Sequence, residues 1–206
     1  MKNPEIRCKM QGSSRAFTLI EALVAVTILT VAIAGPLFSA GRAIIAAGVA
    51  RDQLTASYLA QEGIEYIRML RDNNYLSAYQ GNSSTASSVG WTSFLASVNQ
   101  CNATANPTVS CTLDPVNNAL PLTVFSGNAP LHLTNCVNGP SGLSCTPPSI
   151  YTQQNISGSI QTSFTRTLQI IDTLSTNDKK IVSKVSWSFH GIPYSVTITD
   201  HLTPWQ

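Results

Sequence analysis

From Ala22 to Gly41 the chain carries no charged side chain, which is close to the ~20 apolar residues that a helix needs to cross a bilayer. One carboxylate, Glu21, stands at the start of this run, inside Arg15-Ala16-Phe17-Thr18-Leu19-Ile20-Glu21-Ala22-Leu23-Val24. A charge in such a span costs roughly 2.5–3.5 kcal/mol on insertion scales and marks a functional position that requires a partner. No basic side chain lies between Arg15 and Arg42 to serve.

A cut between Ala16 and Phe17 would create that partner, because the new α-amine of Phe17 is positive. Glu21 would then be fifth in the mature chain. Residues four apart share a helix face, so Glu21 can meet its own amine. It can equally meet that of a neighbouring subunit staggered by about one turn, where a buried charge sets register as buried polar groups do in coiled coils.

Ala16-Phe17-Thr18-Leu19-Ile20-Glu21, after a short basic leader and before a long apolar helix, resembles the N-terminus of type IV prepilins and type II secretion pseudopilins. The resemblance implies that a membrane peptidase removes Met1 to Ala16 and methylates Phe17, and that Glu21 is the assembly carboxylate. The family usually has Gly before the cut, where this chain has Ala16. An ordinary secretory signal peptide is the competing reading, and Ala32-Ile33-Ala34 offers a site for it. Glu21 inside the would-be apolar core, and a helical pattern that continues past that site, stand against it.

The leader holds Lys2, Arg7, Lys9 and Arg15 against Glu5, so its removal turns the formal charge from plus two to minus one. Its positive charge predicts a cytoplasmic N-terminus with the body outside. Beyond Lys179-Lys180 the basic residues form no patch, which argues against nucleic-acid binding. Cys8 leaves with the leader. Cys101, Cys111, Cys136 and Cys145 remain in an extracytoplasmic body, where four cysteines read as two disulfides. Local pairing, Cys101 with Cys111 and Cys136 with Cys145, is favoured among three possibilities. A metal site lacks the Cys-x-x-Cys spacing and a nearby histidine.

Past the span, Ile45, Val49, Ala56, Leu59, Ala60, Gly63, Ile64, Ile67 and Leu70 form one stripe, with Arg51, Asp52, Glu62, Glu65, Arg68 and Arg71 at polar positions. This predicts that an amphipathic half, residues 42–72, continues the transmembrane half, residues 17–41, as a helix roughly 80 Å long. Pro36 lacks an N–H and crowds the preceding turn, so a kink or local melting is expected there; the family resemblance implies an assembly hinge. Residues 73–206 are expected to form the head. Within it, Asn73 to Gly90 reads as a loop, Trp91, Phe94, Leu95 and Val98 as a turn or two of helix, and Cys101 to Asn155 as an irregular disulfide-tied region suited to specific contacts.

The last third reads as sheet. Phe164, Leu168 and Ile170 alternate with Thr165, Thr167 and Gln169; Ile181, Val185, Trp187 and Phe189 with Val182, Lys184, Ser186, Ser188 and His190; Tyr194, Val196 and Ile198 with Ser195, Thr197 and Thr199. Turn-like connections make these three strands an antiparallel meander. The fold class is therefore α+β, a long N-terminal helix packed on a C-terminal antiparallel sheet. Val185-Ser186-Trp187 and Thr203-Pro204-Trp205 resemble the minor-pilin group.

Little here points to catalysis. His132, His190 and His201 lie in separate stretches, and a triad drawn from Asp200, His201 and one of many serines has no geometric support in sequence. No phosphate loop or nucleotide motif occurs, and no cofactor is implied. Asn82, Asn102 and Asn155 begin N-x-S/T triplets in a chain rich in both residues. The expected protein is a pilin-like structural subunit, a minor component of a type IV pilus or type II secretion pseudopilus, and the expected partners are other pilins, the prepilin peptidase, an inner-membrane assembly platform and the bilayer. A non-assembling anchored adhesin or carbohydrate-binding module, and a secreted hydrolase with a mature N-terminus at Gly35, are the alternatives.

Overall fold

The computed structural model describes residues 18–82, 84–115, 117, 122–127, 129–134, 137–139, 142–144, 150–155 and 159–204. The chain divides into two compact units, Met1–Gly48 and Val49–Gln206. One helix, α1 (Leu19–Gly81), supplies the described part of the first and opens the second.

In the first unit α1 starts at a capped end. Thr18 Oγ1 accepts the Glu21 N–H at 3.4 Å, and Thr18 carbonyl oxygen accepts those of Glu21 and Ala22 at 3.1 and 3.2 Å. Thr18-Leu19-Ile20-Glu21 thus has the Thr-x-x-Glu spacing of a capping box, a helix-start signal that the expected cut would leave intact. Every residue from 18 to 47 is exposed. The hydroxyls of this stretch turn inward on the backbone, Thr27 donating to Val24 carbonyl at 2.8 Å and Thr30 to Thr27 carbonyl at 2.9 Å. Satisfying polar groups within the segment is what hydrocarbon surroundings demand.

Pro36 lies inside α1, and helical backbone continues on both sides of it. The expected local melting is therefore not present. Proline removes one helical hydrogen bond, while the flanking Ala, Ile and Leu residues retain theirs.

In the second unit α1 runs nine residues beyond the expected end at Asp72, so the stretch read as a loop is helical to Gly81. Local bonds account for this: Asn74 Nδ2 donates to Leu70 carbonyl at 2.7 Å, and Tyr75 and Tyr79 stack one turn apart with ring centroids 6.2 Å apart. A second helix, α2 (Ala86–Val98), also begins inside the expected loop. Gly90 permits it, because a Cβ there would stand 2.7 Å from Tyr75 Cα; the helices touch backbone to backbone.

A 3₁₀ turn, Asn99–Cys101, leads to strands β1 (Cys111–Leu113), β2 (Leu122–Val124), β3 (His132–Leu133), β4 (Val137–Gly139), β5 (Gly142–Ser144), β6 (Tyr151–Thr152), β7 (Ile160–Gln161), β8 (Thr165–Asp172), β9 (Lys179–Phe189) and β10 (Ile192–Leu202). The predicted meander is β8–β9–β10, antiparallel throughout. It belongs to a larger sheet of order β10-β9-β8-β1-β2, to which the supposedly irregular region contributes two strands. Three residues each is too short for alternation to announce a strand.

The inner sheet face carries Leu168, Ile170, Ile181 and Val185, all buried, against Ala56, Leu59, Ala60, Ile64 and Ile67 of α1. Trp91, Phe94 and Val98 of α2 close one end of this core, while Phe164, Trp187 and Leu131 close the other. Gly63 lets α1 approach the sheet, since its Cβ would come within 2.7 Å of Ser183 Oγ. Cys101 and Cys111 are disulfide-bonded within the core, tying the end of α2 to the start of β1. Cys136 and Cys145 lie outside the described residues.

Candidate functional site

Two places carry chemistry: the start of α1 and a charged cluster inside the second unit. At the first, Ala16 and Phe17 lie outside the described residues, as does Cys8. Glu21 sits in the first turn of α1, exposed. Its backbone N–H is capped by Thr18, and among the described residues its carboxylate has no hydrogen bond or ion pair. Around it are Leu19 at 85% exposure and Ile20 at 66%, so an acid stands within an apolar surface that none of the described residues covers. α1 contains a window long and apolar enough to cross a membrane. A carboxylate in that setting is suited to meeting a cation brought by another group, and to little chemistry of its own.

Residues 12–35 match the prokaryotic N-terminal methylation motif. The chain therefore carries an N-terminal methylation motif of the kind that prepilins bear. This motif, with the long apolar helix behind it, supports the type IV pilin and pseudopilin family. The α1 helix packed on antiparallel sheet is a pilin-like architecture. No curated protein and no solved structure matches the chain. The matched stretch spans Ala16, Phe17, Glu21 and Gly35.

The second cluster was not anticipated. Arg166 is fully buried, on the inner face of β8 between Phe164 and Leu168, where alternation predicts an apolar residue. Its Nη1 donates to Leu59 carbonyl at 3.1 Å and to the Glu62 carboxylate, and its Nη2 donates to Leu113 carbonyl at 2.9 Å. Burial pushes the guanidinium pKa down, and Glu62 and Asp114 oppose that shift. Thr152 Oγ1 donates to Asp114 at 2.9 Å, which brings β6 into the same network. One side chain thus joins α1, β1 and β8. The sequence signal was an arginine in an inward register, legible only once the face of β8 is fixed.

The histidines do not converge. His190 occupies the β9–β10 turn with φ 51°, His132 is buried in β3, and His201 Nδ1 lies 3.0 Å from Asp178. Asp200, the other candidate acid, pairs instead with Arg68 at 3.0 Å. Adjacent strand residues point to opposite faces, so Asp200 and His201 cannot share a triad. Among the described residues no three His, Cys, Asp or Glu side chains gather as a metal site. Asn102 serves the fold, its Nδ2 donating to Asp172 at 3.3 Å.

Proposed function

We propose that this protein is a pilin-like structural subunit, stored in the membrane as a precursor and assembled into a type IV pilus or type II secretion pseudopilus as a minor component. The methylation motif at residues 12–35 carries this reading. A prepilin peptidase cuts after Ala16 and methylates Phe17; residues 17–41 hold the bilayer, residues 42–72 continue the helix, and residues 73–206 form an extracytoplasmic head. The N-terminus faces the cytoplasm before assembly, as the basic leader favours. Other pilins and an inner-membrane platform are the assembly partners. Burying a charged Phe17 amine among apolar helices costs several kcal/mol unless an opposite charge meets it, and Glu21 is the acid available for that in the first turn of α1. The role is structural, and the buried network around Arg166 serves to hold the head together.

Glu21→Val tests the proposal. The variant keeps the residues flanking the cut and removes the carboxylate. It is expected to accumulate in the membrane with Phe17 as a methylated N-terminus by intact mass, and to be missing from sheared filaments or pilin complexes that contain wild type. Entry of Glu21→Val into filaments at wild-type level, or an N-terminus at Gly35, would overturn it.

A further inference from the structure

We infer that the free edge of β10 is a β-strand addition site, which accepts an extended segment of a different protein chain. Among the described residues β10 ends the sheet, and its eleven residues pair with β9 without a break from Ile192–Phe189 to Leu202–Lys179. The two strands are joined by His190 and Gly191, both at positive φ, the signature of a two-residue hairpin turn. The pair that closes such a turn is hydrogen-bonded, and hydrogen-bonding direction alternates along an antiparallel strand. Tyr194, Val196, Ile198 and Asp200 therefore bond to β9, whereas Ser195, Thr197, Thr199 and His201 aim their N–H and C=O groups away from the sheet. Pro193 falls in the outward set, where its missing N–H breaks no ladder bond, as this assignment requires.

Exposed edges are ordinarily guarded by charge, proline, a bulge or short length. From Tyr194 to Thr199 β10 has none of these. The inner face below the edge is also incomplete. Ile181, Ser183 and Val185 of β9 are wholly buried, while Tyr194, Val196 and Ile198 are half-buried. Beside them a groove of about 280 Å³ opens between α1 and β10, lined by Ile64, Glu65, Arg68, Ile198 and Asp200 among others. Glu65 and Asp200 share the single Arg68 guanidinium, so the groove holds one excess negative charge.

An added antiparallel strand would satisfy the outward backbone groups and direct alternate side chains into this groove. An aliphatic residue opposite Ile198 and a lysine or arginine opposite Asp200, within reach of Glu65, meet its shape and charge; hydroxyl residues between them would continue the Ser195-Thr197-Thr199 row. A second copy of the chain does not fit. β10 itself, Ile192–Leu202, carries no lysine or arginine to set opposite Asp200, so a second β10 edge cannot meet the charge of the groove.

The test uses the full chain in detergent micelles and a fluorescent peptide, Lys-Thr-Val-Thr-Val-Thr-Val, read by anisotropy, with near-ultraviolet dichroism reporting the fold. Wild type should bind it. Replacing the central peptide Thr by Pro should weaken binding at least tenfold, and Thr197→Pro, which deletes an outward N–H, should do the same. Thr197→Val should bind within twofold of wild type. Glu65→Gln should weaken the Lys peptide several-fold and leave a Val-first peptide unaffected. Glu21→Val should bind like wild type, so a failed assembly reading and a failed edge reading give different results. Absence of binding at millimolar peptide by folded wild type, or equal affinity for the Pro-containing peptide, would overturn the inference; should Thr197→Pro misfold, the peptide substitution alone decides.

Discussion

Gly63 of α1 and Ser183 of β9 meet so closely that a methyl group on Gly63 would stand 2.7 Å from Ser183 Oγ and 3.1 Å from Leu168 Cδ2. Ser183 is fully buried, and among the described residues its hydroxyl has no hydrogen-bond partner. Gly63→Ala should therefore destabilise the head by about 1–2 kcal/mol, overpacking of roughly 1–3 kcal/mol being partly offset by the better helix propensity of alanine. Ser183→Ala should be neutral or stabilising, because it removes an unpaired buried polar group, and should rescue Gly63→Ala. Thermal melts of the four proteins in a double-mutant cycle check this; additive effects would show that the two residues do not share space.

Arg166 joins three elements and is wholly buried, so Arg166→Ala should cost about 2–5 kcal/mol, the range for a large-to-small change that leaves a cavity in the core. It would leave the Leu59 and Leu113 carbonyls without this donor. Glu62→Gln should cost less, since Glu62 is 40% exposed and water screens its charge, while its amide oxygen can still accept. Urea titration should give that order. The reverse order would mean that Glu62, not Arg166, holds the elements together.

Cys101 and Cys111 close a loop of about ten residues, worth near 3 kcal/mol in the chain-entropy model. The double Cys101→Ala, Cys111→Ala variant should melt several degrees lower. Hydrogen exchange should rise first around β1 and the end of α2. Uniform exchange across the head, with no local increase, would contradict a local tie.

Acid should loosen the β8–β9 end of the sheet. Lys179 Nζ donates to Asp172 at 2.6 Å, and Asn102 donates to the same carboxylate; together they hold its pKa below the ordinary 3.8. His201 does likewise for Asp178. Depressed carboxyls take up fewer protons than in the unfolded chain, so the stability they contribute is full above about pH 4 and is lost as pH falls through their folded values. The urea midpoint should drop below pH 4, and an Asp172→Asn, Asp178→Asn variant should lose part of that drop. An identical pH profile in the variant would exclude these groups as its source.

The parts of this molecule legible in sequence are those in which one residue type repeats at a fixed period. The apolar run after Glu21 and the 3.6-residue stripe from Ala56 to Ile67 announced α1, and period-two alternation announced β8, β9 and β10. What escaped depends on contacts made at long range or on single bonds. Asn73 and Asn74 read as loop formers until the Asn74 side chain bonds to Leu70. Gly90 closed the stretch read as a loop, yet it is the residue that lets α2 touch Tyr75. β1 and β2 are too short for any period, and the disulfide and the edge of β8 define them. Arg166 contradicted the pattern of its strand, and its partners Leu59, Glu62 and Leu113 lie 53 or more positions away.

The contact between Glu62 and Arg166 spans 104 positions. Such high contact order slows folding, because the entropy of closing the intervening chain is lost before any contact rewards it. Residues 56–67 are synthesised first and their packing partners on β8 and β9 more than a hundred residues later. Until the last third of the chain has emerged, the apolar stripe of α1 has no sheet to cover it. The timing of head formation is thus set by the C-terminal strands, and a chain halted before β9 would hold a finished helix with an uncovered, aggregation-prone face.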